Sequence, residues 1–271
     1  MNNQIQWITS ARNPQIKEWH ALQTGKGRKA TGLFTAEGLR LVREITEPWV
    51  LRQLVLSDRF YQERPEDWQP VAGRFPEAGI TVVPEGLFAS LADTKNPQGI
   101  MAVVEQRFFT PEDLVGGPEP FVLVLENLQD PGNAGGMLRT MDAAGMSGLL
   151  CSRGTVDIYS PKAVRASMGS LFHLPVAYTD DLPGVLAGWS GRGIHLIAAH
   201  LEGSRSLYDT DLTGPAAVLI GNEGNGLTPQ ITALCRDRVR IPQPGRAESL
   251  NALTAAAIII YETLRQRTGG R

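Results

Sequence analysis

The sequence predicts two α/β units in tandem, the second built on an open parallel sheet. Three observations carry this expectation. Short, continuous apolar runs recur at Val122–Leu125, Gly148–Cys151, Ile194–Ala199 and Ala216–Ile220, as strands buried on both faces require. Helical patterns separate these runs. A stretch rich in proline and glycine, 107–120, divides the chain. The length of 271 residues agrees, since a domain averages roughly 150.

The first unit is expected over 1–106. Asn13-Pro14 followed by Ile16, Trp19 and Leu22 reads as a cap, a first-turn proline and a helix. Gly32–Ala36 reads as a short strand, and Glu37–Ile45 carries Leu39, Val42 and Ile45 at helical spacing. Further strands are expected at Leu51–Leu56, Ile80–Val83 and Ile100–Val104. The three prolines and the glycine pair of 107–120 read as a linker.

The second unit is expected over 121–271, with helices at Gly136–Ala144 and Leu250–Arg265 and a short strand at Arg238–Ile241. In parallel sheets, ligands gather at the C-terminal ends of strands. The glycine-rich and polar segments fall there: Glu126–Thr140, Gly221–Leu227 and Pro242–Asn251. Ser249 is placed to cap the final helix, leaving Asn251 in its first turn.

Composition excludes several classes. Hydrophobic residues are 42% and charged residues 20%, the balance of a globular chain and not a disordered one. The longest apolar stretch, Leu253–Tyr261, falls short of the roughly 20 residues that span a bilayer. Met1–Trp7 has neither a basic nor an apolar leader region, so a cytoplasmic protein without membrane attachment is expected. Cys151 and Cys235 lie outside any C-x-x-C, and His20, His173, His195 and His200 form no metal-ligand spacing, so no metal is expected. Gly132-Asn133-Ala134-Gly135-Gly136 misses the G-x-G-x-x-G dinucleotide pattern, and neither Walker A nor a G-x-S-x-G elbow is present. A nicotinamide-dependent oxidoreductase therefore lacks its fingerprint.

The net charge of −2 does not announce a nucleic-acid binder. Between Ala11 and Arg43, however, seven cations (Arg12, Lys17, Lys26, Arg28, Lys29, Arg40, Arg43) stand against Glu18 and Glu37. Such a cluster can follow a phosphate backbone, or it can be a solvated surface.

Read together, the three loops resemble the signature motifs of the SpoU (TrmH) family of RNA ribose 2′-O-methyltransferases, in the SPOUT superfamily. The first is Asn133-Ala134-Gly135-Gly136-Met137-Leu138-Arg139-Thr140; the second is Leu219-Ile220-Gly221-Asn222-Glu223-Gly224-Asn225-Gly226. The third is Ile241-Pro242 with Ser249-Leu250-Asn251 and the alanine-rich segment after it, and Val164–Val176 is also similar to a family segment. The N-terminal unit resembles the ribosomal-protein-like α/β substrate domain that many members carry, on Ser10–Pro14 and Phe34–Gly38. Met141 and Ala252-Leu253-Thr254 depart from the usual pattern without touching its polar positions.

The resemblance implies a C-terminal domain with a deep trefoil knot and a homodimer. It implies S-adenosylmethionine held by Gly221, Asn222, Ile241 and Leu250, with Arg139 and Asn133 acting on the ribose and Glu223, Ser249 and Asn251 ordering the pocket. An arginine general base conflicts with the very high pKa of a guanidinium. Either a dry cationic pocket depresses it, or a charged Arg139 anchors the neighbouring phosphate and stabilises an alkoxide. The N-terminal Arg12, Lys26, Arg28, Lys29 and Arg40 are expected to capture RNA, with the Lys26–Lys29 segment as a loop. Ribosomal RNA of the large subunit is the expected substrate. The alternatives are tRNA, or a non-catalytic RNA-binding or ribosome-assembly protein of the same fold.

Overall fold

The computed structural model describes residues 5–201 and 204–269. Met1–Gln4, the start of the segment expected to carry no leader, lie outside the described residues. In chain order the first elements are β1 (Ile5–Trp7), α1 (Pro14–Ala21), α2 (Gly25–Thr31), β2 (Leu33–Glu37), α3 (Leu39–Glu44) and β3 (Leu51–Ser57). Then come α4 (Asp58–Glu63), α5 (Pro65–Arg74), β4 (Gly79–Val83), α6 (Glu85–Leu91) and β5 (Ile100–Glu105). They are followed by β6 (Phe121–Leu125), α7 (Pro131–Ala143), β7 (Gly148–Ser152), α8 (Pro161–Ser167), β8 (Val176–Thr179) and α9 (Leu182–Gly191). The last are β9 (His195–Ala199), β10 (Arg205–Ser206), β11 (Ala216–Ile220), α10 (Pro229–Leu234), β12 (Asp237–Arg240) and α11 (Ala252–Arg267).

These elements form two compact units. The first runs to Arg107 and also takes in Asp157–Phe172; the second comprises Phe108–Val156 and the chain from His173 onward.

The first unit is built on a mixed sheet in the order β1-β4-β3-β5-β2. β1, β4 and β3 are parallel, whereas β5 runs antiparallel to β3 and β2. The C-terminal ends of β1 to β4 therefore share one edge with the N-terminal end of β5. Asn13 caps α1 by accepting from the Gln15 N–H at 2.9 Å, with Pro14 in the first turn. Arg28 lies in a helix, α2, where the sequence reading expects a loop. Two glycines weaken the helical signal there, yet Thr24 caps the helix and Gly27 packs so close to α1 that a Cβ would meet the Ala21 carbonyl oxygen at 2.1 Å. Phe34 of β2 packs on Tyr159 with ring centroids 4.8 Å apart. Trp49 donates its indole N–H to the Phe172 carbonyl at 2.8 Å. Segment 157–172 thus supplies part of this unit's aromatic core.

The second unit is a wholly parallel sheet in the order β10-β12-β9-β11-β6-β7-β8. Its central strands bury every side chain, which explains their continuous apolar runs. Alternate residues, among them Val122, Val124, Ala217 and Leu219, pack against Leu186 and Trp189 of α9 and Ile231 of α10. Their neighbours point the other way, toward α7 and α11. There the approach is so close that a Cβ on Gly136 would lie 2.5 Å from Leu253 Cδ2.

Part of the expected linker is structured. Pro111–Leu114 forms a 3-10 turn closed by a Thr110–Asp113 capping box, and Leu114 and Val115 enter the second unit's core. Among the described residues, no helix is long and apolar enough to cross a membrane.

Candidate active site

The three loops singled out by sequence meet in the second unit, at the C-terminal ends of β6, β11 and β12. After β6, Asp130 caps α7 by accepting from the Asn133 N–H at 2.8 Å, which begins the helix at Pro131 and turns the Asn133 side chain inward. After β11, Asn222 and Gly226 exchange backbone hydrogen bonds of 3.1 and 2.9 Å, closing a tight hairpin. Asn222 Oδ1 accepts from the N–H groups of Gly224 and Asn225, and its Nδ2 donates to the Asn127 carbonyl at 2.9 Å. The hairpin demands glycine at 221: a Cβ there would sit 2.0 Å from the Gly226 carbonyl carbon.

Glu223 pins this hairpin to the loop after β6. Its carboxylate accepts from the Gln129 N–H at 3.0 Å, the Asp130 N–H at 2.9 Å and Asn133 Nδ2 at 3.2 Å. Burial pushes its pKa up, but the N–H donors of Asp130 and Gln129 with the Asn133 amide outweigh it and hold the group below its ordinary value. Asn133, itself buried, then accepts from Asn251 Nδ2 at 3.1 Å. A single hydrogen-bonded line, Glu223–Asn133–Asn251, joins the three loops.

Asn251, not Ser249, caps the final helix. Its Oδ1 accepts from the N–H groups of Leu253 at 2.9 Å and Thr254 at 3.3 Å, so α11 begins at Ala252. Asn251 is also tied through its amide to Asn133, a fixed point that the exposed Ser249 lacks.

The hairpin, the end of β9, the segment after β12 and the start of α11 enclose a cavity of about 530 Å³. That lies within the range of small-molecule sites. Gly221, Asn222, Glu223, Ile241, Ser249 and Leu250 line it, above an apolar floor that includes Ile220, Val239 and Ile259. Ala199–Leu201 and Gln243 also line it and were not named individually from sequence; among the described residues, Gln243 Oε1 is buried there without a hydrogen-bond partner. Their signal was position alone, at strand ends. Asn133, Arg139 and Asn251 stand outside the lining. Arg139 lies on α7, exposed, and its side chain has no hydrogen bond or ion pair among the described residues.

In the first unit, the expected RNA-facing cations divide. Arg12, Lys26, Lys29 and Arg40 are exposed. Arg28 is not: it is 4% exposed, donates to the Leu22 carbonyl at 2.8 Å and pairs with Asp157 at 2.7 Å. A buried guanidinium needs such partners, so Arg28 is a structural residue and the expectation that it contacts RNA is corrected.

Residues 120–261 match the SpoU rRNA Methylase family, and residues 13–102 match the MRM3-like substrate binding domain. The 23S rRNA (guanosine(2553)-2′-O)-methyltransferase RlmP of Bacillus subtilis is 32% identical, over 94% of this chain and 97% of its own. The 23S rRNA (uridine(2479)-2′-O)-methyltransferase of Streptomyces viridochromogenes is 33% identical, over 97% and 93%. The crystal structure of an AdoMet-bound rRNA methyltransferase from Sinorhizobium meliloti superposes with a TM-score of 0.86 at 32% identity, covering 97% of this chain and 98% of that one. On the family model and on these near full-length relatives, the chain belongs to the SpoU rRNA methylase family.

Proposed function

We propose that this protein transfers a methyl group from S-adenosylmethionine to a ribose 2′-hydroxyl in large-subunit ribosomal RNA. The observation that carries the reading is the Glu223–Asn133–Asn251 line, which holds three motif loops around one cavity. A non-catalytic relative would have no need to keep that line intact together with a free Arg139. Likeness along nearly the whole chain to 23S rRNA methyltransferases favours ribosomal RNA over tRNA. An RNA substrate of this kind also favours a cytoplasmic location.

The cavity fits the donor. Its apolar floor suits an adenosine, its backbone-rich rim suits polar edges, and the orphaned Gln243 Oε1 offers an acceptor to an amino group. Gly221, Ile241 and Leu250 would hold the nucleoside, with Asn222 shaping the hairpin and Ser249 offering its hydroxyl. Once bound, S-adenosylmethionine supplies an electrophilic methyl group on a sulfonium.

The protein's own residues then act by position and charge. Glu223, Asn133 and Asn251 fix the loops, so that donor and hydroxyl meet in line. Arg139 brings a planar guanidinium fork with no partner among the described residues. It anchors the phosphate beside the target ribose and stabilises negative charge developing on the 2′-oxygen, while the proton leaves to solvent. The exposed Arg12 and Arg40, with lesser contributions from Lys26 and Lys29, follow RNA phosphates.

The reading includes the trefoil-knotted topology and a homodimer. For the latter, Tyr261 on α11 is 48% exposed beside half-buried Ala257, Ile258 and Leu264, a face suited to a second copy. Light scattering on Tyr261→Glu would return a monomer mass if that face pairs.

The function is tested by incubating the pure protein with deproteinised 23S rRNA and tritiated methyl donor, then mapping 2′-O-methylation. Label confined to one ribose supports the reading. Label on a base, or none despite donor binding, overturns it.

A further inference from the structure

The first unit carries a second cavity, separate from the one above, at the sheet edge where β2 ends and β5 begins. It measures about 210 Å³ and is lined by Glu37, Gly38, Arg40, Leu41, Thr94, Asn96, Gln98, Arg165 and Met168. That is room for a group of many atoms, not one or two waters.

Its walls are braced. Glu37 accepts from the N–H groups of Asp93 and Thr94 and from the Thr94 hydroxyl, so its carboxylate is spent on the turn. Gln98 Oε1 accepts from the Leu39 N–H at 2.9 Å, fixing the loop before β5 against the turn after β2 and leaving its Nε2 unspent. Arg165 is held by Asp93.

The charge that remains is positive. Arg40 on the rim and Lys95 between two lining residues are both exposed, and neither side chain has a partner among the described residues. Arg12 follows β1, whose C-terminal end lies at this same edge. Lys26 and Lys29 belong to α2, which leads into the opposite end of β2. The cation cluster read as one patch in sequence is thus split, and only one part adjoins a cavity.

We propose that this cavity receives an unstacked nucleotide of the RNA substrate, its base facing the Asn96 and Gln98 amides and its phosphate bound by Arg40 and Lys95. Recognition of RNA by sequence depends on such splayed bases, read along their hydrogen-bonding edges. Two amides beside two free cations supply that chemistry. The proposal rests on the RNA-methyltransferase reading and places a substrate-binding feature outside the reaction site.

The test measures binding of the full-length protein to deproteinised 23S rRNA across a salt series. Three variants are compared: Arg40→Glu/Lys95→Glu, Lys26→Glu/Lys29→Glu, and Asn96→Trp, which plugs the mouth without changing charge. The first should bind at least tenfold more weakly, with a salt slope shallower by about 0.7 for each phosphate no longer neutralised. The second should lose less, and Asn96→Trp should weaken binding while the thermal midpoint and S-adenosylmethionine affinity hold. An equal or larger loss in the Lys26/Lys29 pair overturns the proposal, and so does full binding by Asn96→Trp. Wild-type protein that binds no RNA would instead remove the underlying reading, and this proposal with it.

Discussion

The side-chain amide of Asn251 donates to the side-chain oxygen of Asn133 at 3.1 Å, across 118 residues of chain. The same Asn251 caps α11 through its other amide atom, so the start of the last helix and the wall of the site are held by one side chain. Asn251→Asp keeps a cap of equal quality but loses the donor to Asn133. Methyl transfer should fall at least tenfold with the thermal midpoint nearly unchanged. Asn251→Ala should lose activity and also about 1 kcal/mol of stability. Paired thermal melts and single-turnover assays separate the two.

Arg139→Ala should largely abolish methylation while calorimetry finds the affinity for S-adenosylmethionine intact, because the residue stands outside the cavity lining. Arg139→Lys keeps the charge but not the planar fork and should recover only a fraction of the rate. A proton-accepting arginine would instead give a steep alkaline limb in the wild-type rate profile.

Gly221→Ala should close the cavity proposed for the donor. The added methyl group would overlap the Gly226 carbonyl carbon at 2.0 Å, so the hairpin must open. Calorimetric binding of S-adenosylmethionine should vanish, while far-ultraviolet circular dichroism stays that of the wild type.

Arg28→Ala should act on stability and not on RNA. Removing one partner of a buried pair costs about 3–5 kcal/mol. With Asp157 39% exposed at its side chain, about 2–3 kcal/mol is expected by the same reasoning. Urea denaturation reads the loss. RNA affinity, measured where the variant is folded, should match the wild type.

Acid should loosen the site through Glu223. Its folded-state pKa lies below the ordinary 4.5, so its stabilising contribution is complete above that value and drains as pH falls through the lower, folded one. Glu223→Gln should therefore show a flatter loss of thermal midpoint below pH 4.5 than the wild type.

Much of this architecture was legible because burial on both faces leaves a strand no polar positions; Val122–Leu125 and Ala216–Ile220 could be little else. The loops were legible because glycine and asparagine concentrate where the backbone must turn tightly, as at Gly221. Side-chain partnerships were not. Ser249 and Asn251 are equally good caps, and only the bond to Asn133 decides between them. Arg28 looked like its neighbours Lys26 and Lys29, because charge in sequence does not reveal an Asp 129 positions away. Residues 107–120 read as a linker on proline and glycine content, which says nothing of how deeply Leu114 and Val115 sit.

The contribution of Tyr159 and Phe172 to the aromatic core around Phe34 and Trp49 has a practical corollary. A fragment ending at Arg107 would carry Phe34 and Trp49 without the rings that cover them, an invitation to aggregation. Dissection of the first unit by simple truncation would thus mislead, and a transplant between relatives would have to carry both stretches of chain at once.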